Sequence, residues 1–149
     1  MIEIISGSIY NEIREKLTKK INLDLLPLYG EKEIRKISGD KYGKVKIKLD
    51  VENDVEKIQQ IRDYGKHENT IKVNYFTYEW NADKNKLPKE FEKYIKPEIE
   101  KFIELLSIFK EINEEILRFS VVDGDYKDNE RPGHMIATKY ALIELFKQI

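Results

Sequence analysis

Residues 96–113 read KPEIEKFIELLSIFKEIN, and the spacing within them decides what the rest of the chain must do. Ile99, Phe102, Ile103, Leu106, Phe109 and Ile112 recur at intervals of three and four, which gathers them on one face of a helix. At about 25 cal/mol per Å² of apolar surface, leaving that face in water would cost a few kcal/mol. That is a large share of the net stability of a small domain. The helix therefore requires a sheet, or other helices, against it.

On the C-terminal side of this helix, residues 116–122, ILRFSVV, have the β-branched content of a strand. Residues 71–80, IKVNYFTYEW, are richer still in β-branched and aromatic side chains, and are expected to form a central strand. Val45, Ile47, Leu49 and Val51 alternate with Lys44, Lys46, Lys48 and Asp50, the period of a strand with one dry face and one wet face. Together with residues 33–38 and the turn at 39–43, this reads as a hairpin. Such alternation suits an antiparallel sheet, because strands covered on both sides would show continuous apolar runs.

The remaining segments complete the count. Ile2, Ile4 and Ile5 are expected to form a first strand, and Ile9, Ile13, Leu17 and Ile21 the inner face of an amphipathic helix capped by Ser8. Residues 22–30, NLDLLPLYG, are apolar without period and are read as an irregular segment. Asn53 and Glu56 have the spacing of a capping box for a short helix with Val55, Ile58 and Ile61 inside, ended by Gly65. Leu87-Pro88 starts another helix, in which Pro97 either separates two helices or kinks one. Residues 123–133 are read as a loop, and residues 135–149 as a closing helix whose Ala137 and Ala141 permit close approach to a neighbour. The expected architecture is a single α+β domain over residues 1–149: a mixed, mainly antiparallel sheet of about five strands with helices packed mostly on one face.

Composition narrows the functional classes. Lysine and arginine number 27 against 28 acidic residues, a formal charge of -1 in 149 residues, so no field of one sign draws the whole molecule to nucleic acid or to a membrane. There is no cysteine, which excludes disulfides, thiol nucleophiles and thiolate metal sites. Charged residues interrupt every apolar run well short of the roughly 18 needed to cross a membrane. The N-terminal residues lack the pattern of a secretory signal, and the expected location is the cytoplasm. No glycine-rich phosphate loop, nucleophile elbow or zinc-spaced histidine pair is present, so neither cofactor nor metal is expected.

Three constellations could carry function. His67 and His134 are the side chains whose ordinary pKa lies nearest neutrality, and the loop before His134 also holds Asp123, Asp125 and Arg131. A small enzyme or nucleotide-binding protein would use His134, Asp123, Asp125 and Arg131 there. The same loop carries Asp128 and Glu130, but Lys127 and Asp128 stand where a calcium loop of the EF-hand type needs an oxygen ligand and a glycine. Tyr75, Phe76, Tyr78 and Trp80, with Lys72, Lys84 and Lys86 around them, could stack nucleic acid bases; Glu79 and Asp83 dilute that patch, and core packing accounts for the rings better. The stripe Lys44, Lys46 and Lys48 is read as an edge strand guarded against aggregation.

A small, neutral, cysteine-free α+β domain with aromatic and acidic surface candidates also has the size and composition of dedicated binding proteins, such as immunity proteins and inhibitors. The leading expectation is therefore a protein that binds and blocks a protein partner, a basic one, without catalysis of its own. Trp80, Asp123, Asp125, Tyr126, Asp128 and Glu130 are the expected contacts.

Overall fold

The structure, a computed structural model, describes residues 9–36, 39–67, 76–109 and 115–149. The strand expected over Ile2, Ile4 and Ile5 lies outside the described residues, as do the first half of the aromatic strand and Ile112. The described part of the long apolar stripe is buried as its spacing requires. Helix α2, Glu92–Phe109, runs unbroken through Pro97, so that proline does not separate two helices. Ile99, Phe102 and Leu106 of α2 are fully buried. A short 3₁₀ turn, Lys89–Phe91, leads into α2.

The sheet beneath it has strands β1, Leu28–Lys36; β2, Lys41–Val51; β3, Phe76–Trp80; β4, Leu117–Asp125; and the two-residue β5, Arg131–Pro132. Its order is β1-β2-β4-β3, with β5 beside the start of β2. The β1–β2 and β2–β4 pairs are antiparallel, whereas β3–β4 and β2–β5 are parallel. This is a mixed, mostly antiparallel α+β sheet. Val45, Ile47 and Leu49 of β2 and Leu117, Phe119 and Val121 of β4 form its dry face. Phe102, Phe119 and Phe146 meet there, with ring centroids 5.0–6.4 Å apart.

Helix α3, His134–Phe146, covers the β1 and β2 side of that face. Its approach is close enough that a Cβ on Gly30 would stand 1.9 Å from the Ala141 carbonyl oxygen. Only a residue without a side chain allows strand and helix to meet there. The opposite, wet face carries a cross-strand Glu31–Lys44 ion pair at 3.3 Å and an Lys48–Asp50 pair at 3.6 Å, while Lys46 lies over the Tyr29 ring.

Several expectations need correction. Residues 22–30 are not irregular throughout: a 3₁₀ turn at Leu23–Leu25 is followed by β1, which starts at Leu28. The lysine stripe does not lie on an edge, since β2 is paired on both sides. Among the described residues the aromatic strand β3 pairs with β4 alone and stands last in the strand order, where a central place was expected. Residues 9–17 form a 3₁₀ helix broken at Ile13, not a regular α-helix. The break lets Tyr10 join Ile13, Leu17 and Ile21 in the core, with the Tyr10 ring 4.9 Å from that of Phe102.

Helix α1, Val55–His67, passes through Gly65 instead of stopping there. Its cap is Asp54, whose Oδ1 accepts the amides of Glu56 and Lys57 at 3.0 and 3.3 Å; Asn53 does not fill that role. Val55, expected inside, is 76% exposed. The Glu52 side chain, at the end of β2, accepts the amides of Asn53 and Asp54, the Thr77 hydroxyl at 2.7 Å and the Arg118 guanidinium at 2.8 Å. One carboxylate thus joins β2, β3, β4 and the start of α1.

Candidate functional site

The segment after β4 is more ordered than its glycines and proline imply. β4 continues through Gly124 to Asp125, with a bulge where Asp123 pairs with Lys46 and Val121 with Ile47. Beyond the turn, the Arg131 amide donates to the Asp40 carbonyl at 2.6 Å and the Gly133 amide to that of Tyr42 at 2.7 Å, which creates β5. The Arg131 side chain also donates to the Gly39 carbonyl, at 2.8 Å. The guanidinium therefore ties the loop to the hairpin turn.

His134 opens α3 and is completely buried. A Cβ on Gly43 would stand 2.6 Å from the His134 amide nitrogen, so β2 needs glycine at the point where this helix begins. The His134 Nε2 lies 2.8 Å from the Asp125 carbonyl oxygen. A carbonyl accepts only, so Nε2 carries the proton and Nδ1 is bare, with no hydrogen-bond partner among the described residues. Burial lowers the His134 pKa, against the opposing influence of the Asp125 carbonyl and charge. The Phe91 ring covers the imidazole, with centroids 4.8 Å apart.

Of the sequence-identified residues, the structure brings His134 to the main chain of Asp125. Asp123 and Asp125 each turn a carboxylate oxygen back onto the next amide, those of Gly124 and Tyr126, at 2.9 and 2.8 Å. His134 faces the main chain at Asp125, not either carboxylate. The backbone of His67 ends α1 far along the chain from this loop, and its side chain lies outside the described residues. Asp125 and Asp128 are exposed, and Asp123, Tyr126 and Glu130 half-buried. Trp80 pairs in register with Val121 and packs against the core. Phe76 and Tyr78 also pack there; the Tyr78 hydroxyl donates to Glu92 of α2 at 2.6 Å, which turns it to the face opposite the lysine stripe. Among the described residues, the rings of β3 and the lysines of β2 lie on opposite faces of the sheet.

What the sequence reading missed is the wall opposite the loop. Phe91, in the turn before α2, packs on the Tyr126 ring with centroids 5.0 Å apart, and with Tyr94 the two line a cleft of about 230 Å³. Glu90, Lys93, Lys127, Asp128, Glu130 and Pro132 complete its lining. The helical spacing of Phe91 and Tyr94 marks them as inward-facing, but nothing local names the loop they face. Among the described residues no cluster of histidine and carboxylate groups is placed to hold a metal ion, and no helix is long and apolar enough to cross a membrane.

Comparison with known proteins assigns no activity. No family model and no curated sequence matches the chain. A crystal structure from Thermus thermophilus aligns with 80% of this chain at 14% identity and a TM-score of 0.44, and the alignment takes in 14% of that much longer chain. A likeness of that degree carries no argument about what this chain does.

Proposed function

We propose that the protein binds and blocks a basic protein partner through the 123–130 loop, in the manner of an immunity protein or an inhibitor, and has no catalysis of its own. The observation that carries this reading is the division of labour in the loop. Its one titratable group suited to chemistry at neutral pH, His134, is buried beneath Phe91, while Asp125 and Asp128 stand exposed on a segment held at both ends. Anchored loops lose little conformational freedom on docking, and exposed carboxylates complement and steer a basic partner. An enzyme using His134, Asp123, Asp125 and Arg131 would need those groups around one reacting atom, and each is instead engaged with the main chain.

The test is capture from a lysate of the source cells with tagged native protein and with a D125K/D128K variant. The expected result is a stoichiometric protein partner retained by the native protein and lost from the variant, whose thermal unfolding is unchanged. Equal capture by both, or no protein partner, overturns the reading.

A further inference from the structure

Strand β1 has one margin in use. At the start of β2 the carbonyls of Asp40 and Tyr42 turn toward β5, where they accept the Arg131 and Gly133 amides at 2.6 and 2.7 Å. Backbone groups along a strand point to its two margins alternately, so Lys41, Gly43, Val45 and Ile47 face β1. In the antiparallel register these meet Lys36, Ile34, Lys32 and Gly30. The amides and carbonyls of Tyr29, Glu31, Glu33 and Arg35 therefore point outward. Gln148, just beyond α3, agrees with that direction: its side-chain amide donates to the Tyr29 carbonyl at 2.6 Å. Among the described residues Glu31, Glu33 and Arg35 have no backbone partner on this margin.

An unpaired margin is a template for another strand, and charge along it ordinarily turns strangers away. The order of these charges matches itself. With a second copy antiparallel about a two-fold axis at Glu33, Glu31 of each copy stands opposite Arg35 of the other, on the face that carries the Glu31–Lys44 pair. Every outward amide and carbonyl of Glu31, Glu33 and Arg35 is then paired. The two Glu33 side chains meet at the axis, but each is drawn back to its own chain, by the Tyr42 hydroxyl at 2.9 Å and by Arg35 at 3.7 Å. Sliding the copies by two residues one way sets Glu31 against Glu33. The other way sets Lys32 against Lys36 and takes Glu31 from its arginine. A slip by one residue turns outward groups against inward ones.

We propose that two copies of this chain associate through β1, which carries the sheet of one copy into that of the other, with Glu31 and Arg35 as reciprocal ion pairs and Glu33 at the axis. This surface is separate from the 123–130 loop, and neither reading depends on the other.

The test is sedimentation of the native protein over a dilution series, where a monomer–dimer equilibrium is expected. E33P removes the amide at the axis, at a place where an edge strand tolerates proline, and should stay monomeric throughout. E31R sets like charges opposite each other at both ends and should weaken the dimer by about tenfold; E31R/R35E reverses both pairs and should bind within about threefold of native. The chain has no cysteine, so the register can be read by cross-linking. Paired Cα atoms at such a site lie about 5.5 Å apart, within disulfide reach, so E33C should join two copies under mild oxidation and Y29C should not. A native protein that is monomeric at every concentration overturns the proposal, as it would if the margin served an extended segment of another protein. So do a dimer that E33P leaves intact, a double variant no tighter than E31R, and cross-linking equal in E33C and Y29C. Should E33P not fold, the charge exchange and the cross-linking decide the matter.

Discussion

Replacement of Glu52 by alanine tests whether the charged knot at the end of β2 holds the sheet together. The Glu52 side chain is 1% exposed and that of Arg118 13%, so the pair is largely shielded from water. Removing one partner of a buried pair costs about 3–5 kcal/mol, because the other charge is left behind. Arg118 keeps Glu79 at 3.3 Å and the Asn53 side-chain oxygen at 3.1 Å, which favours the low end of that range. The Thr77 hydroxyl and two backbone amides lose an acceptor at the same time. We expect a loss of about 3 kcal/mol, which for a chain of this length lowers Tm by about 6–12 °C. Urea unfolding should show a lower midpoint at unchanged slope, and the cycle with R118A a coupling above about 1 kcal/mol. A loss below that figure, or strictly additive single variants, would show that the knot does not hold the strands. The pH dependence gives a second reading of the same group. Burial alone would raise the Glu52 pKa, but hydrogen bonds from Thr77, the Asp54 amide and Arg118 outweigh it and lower the value. The unfolded chain then takes up this proton before the folded one, so the carboxylate's contribution is present above the ordinary glutamate range and is lost as pH falls through the folded value. E52A should lack that component of acid sensitivity.

Two further outcomes rest on geometry already described. G30A places a Cβ between the Ala141 carbonyl oxygen at 1.9 Å and the Leu145 Cβ at 2.8 Å, so α3 must move away from β1; a loss of about 3 kcal/mol is expected in urea unfolding, and a midpoint equal to the native one would disprove the close approach. His134 is held neutral by burial, so the unfolded state binds its proton first and stability should fall as pH drops below about 6.5; a profile flat from pH 7 to 5, or one no steeper than that of H134Q, would contradict it.

Where a rule of spacing acts within one segment, the fold is legible in the sequence. Val45, Ile47 and Leu49 alternate, and all three are fully buried; Ile99, Phe102 and Leu106 recur as a helix requires, and they are buried too. Legibility fails where a distant contact decides local structure. Leu28-Tyr29-Gly30 carries no strand pattern, because Gly30 is there to admit Ala141 from the far end of the chain. Gly124, Pro132 and Gly133 are loop signals in the sequence, yet carbonyls of the first hairpin hold residues 131 and 133 in register. The candidate site divides in the same way. The position of its acidic loop can be read from composition, whereas the burial of His134 and the second wall of the cleft depend on Phe91, a residue whose spacing assigns it to a helix's inner face without reference to this loop.

The position of β2 between β1 and β4 has a consequence for the growing chain on the ribosome. β1 and β2 follow one another and can pair as soon as both have emerged, but the other margin of β2 must wait for Leu117–Asp125. Throughout that interval an interior strand behaves as an edge, and a dry-faced edge is a template for pairing with another nascent chain. Lys44, Lys46 and Lys48, which in the finished sheet meet Glu31, the Tyr29 ring and Asp50, would also place charge along that margin for as long as its final neighbour is unmade. On a nascent chain the stripe would lie along an edge that the finished sheet closes.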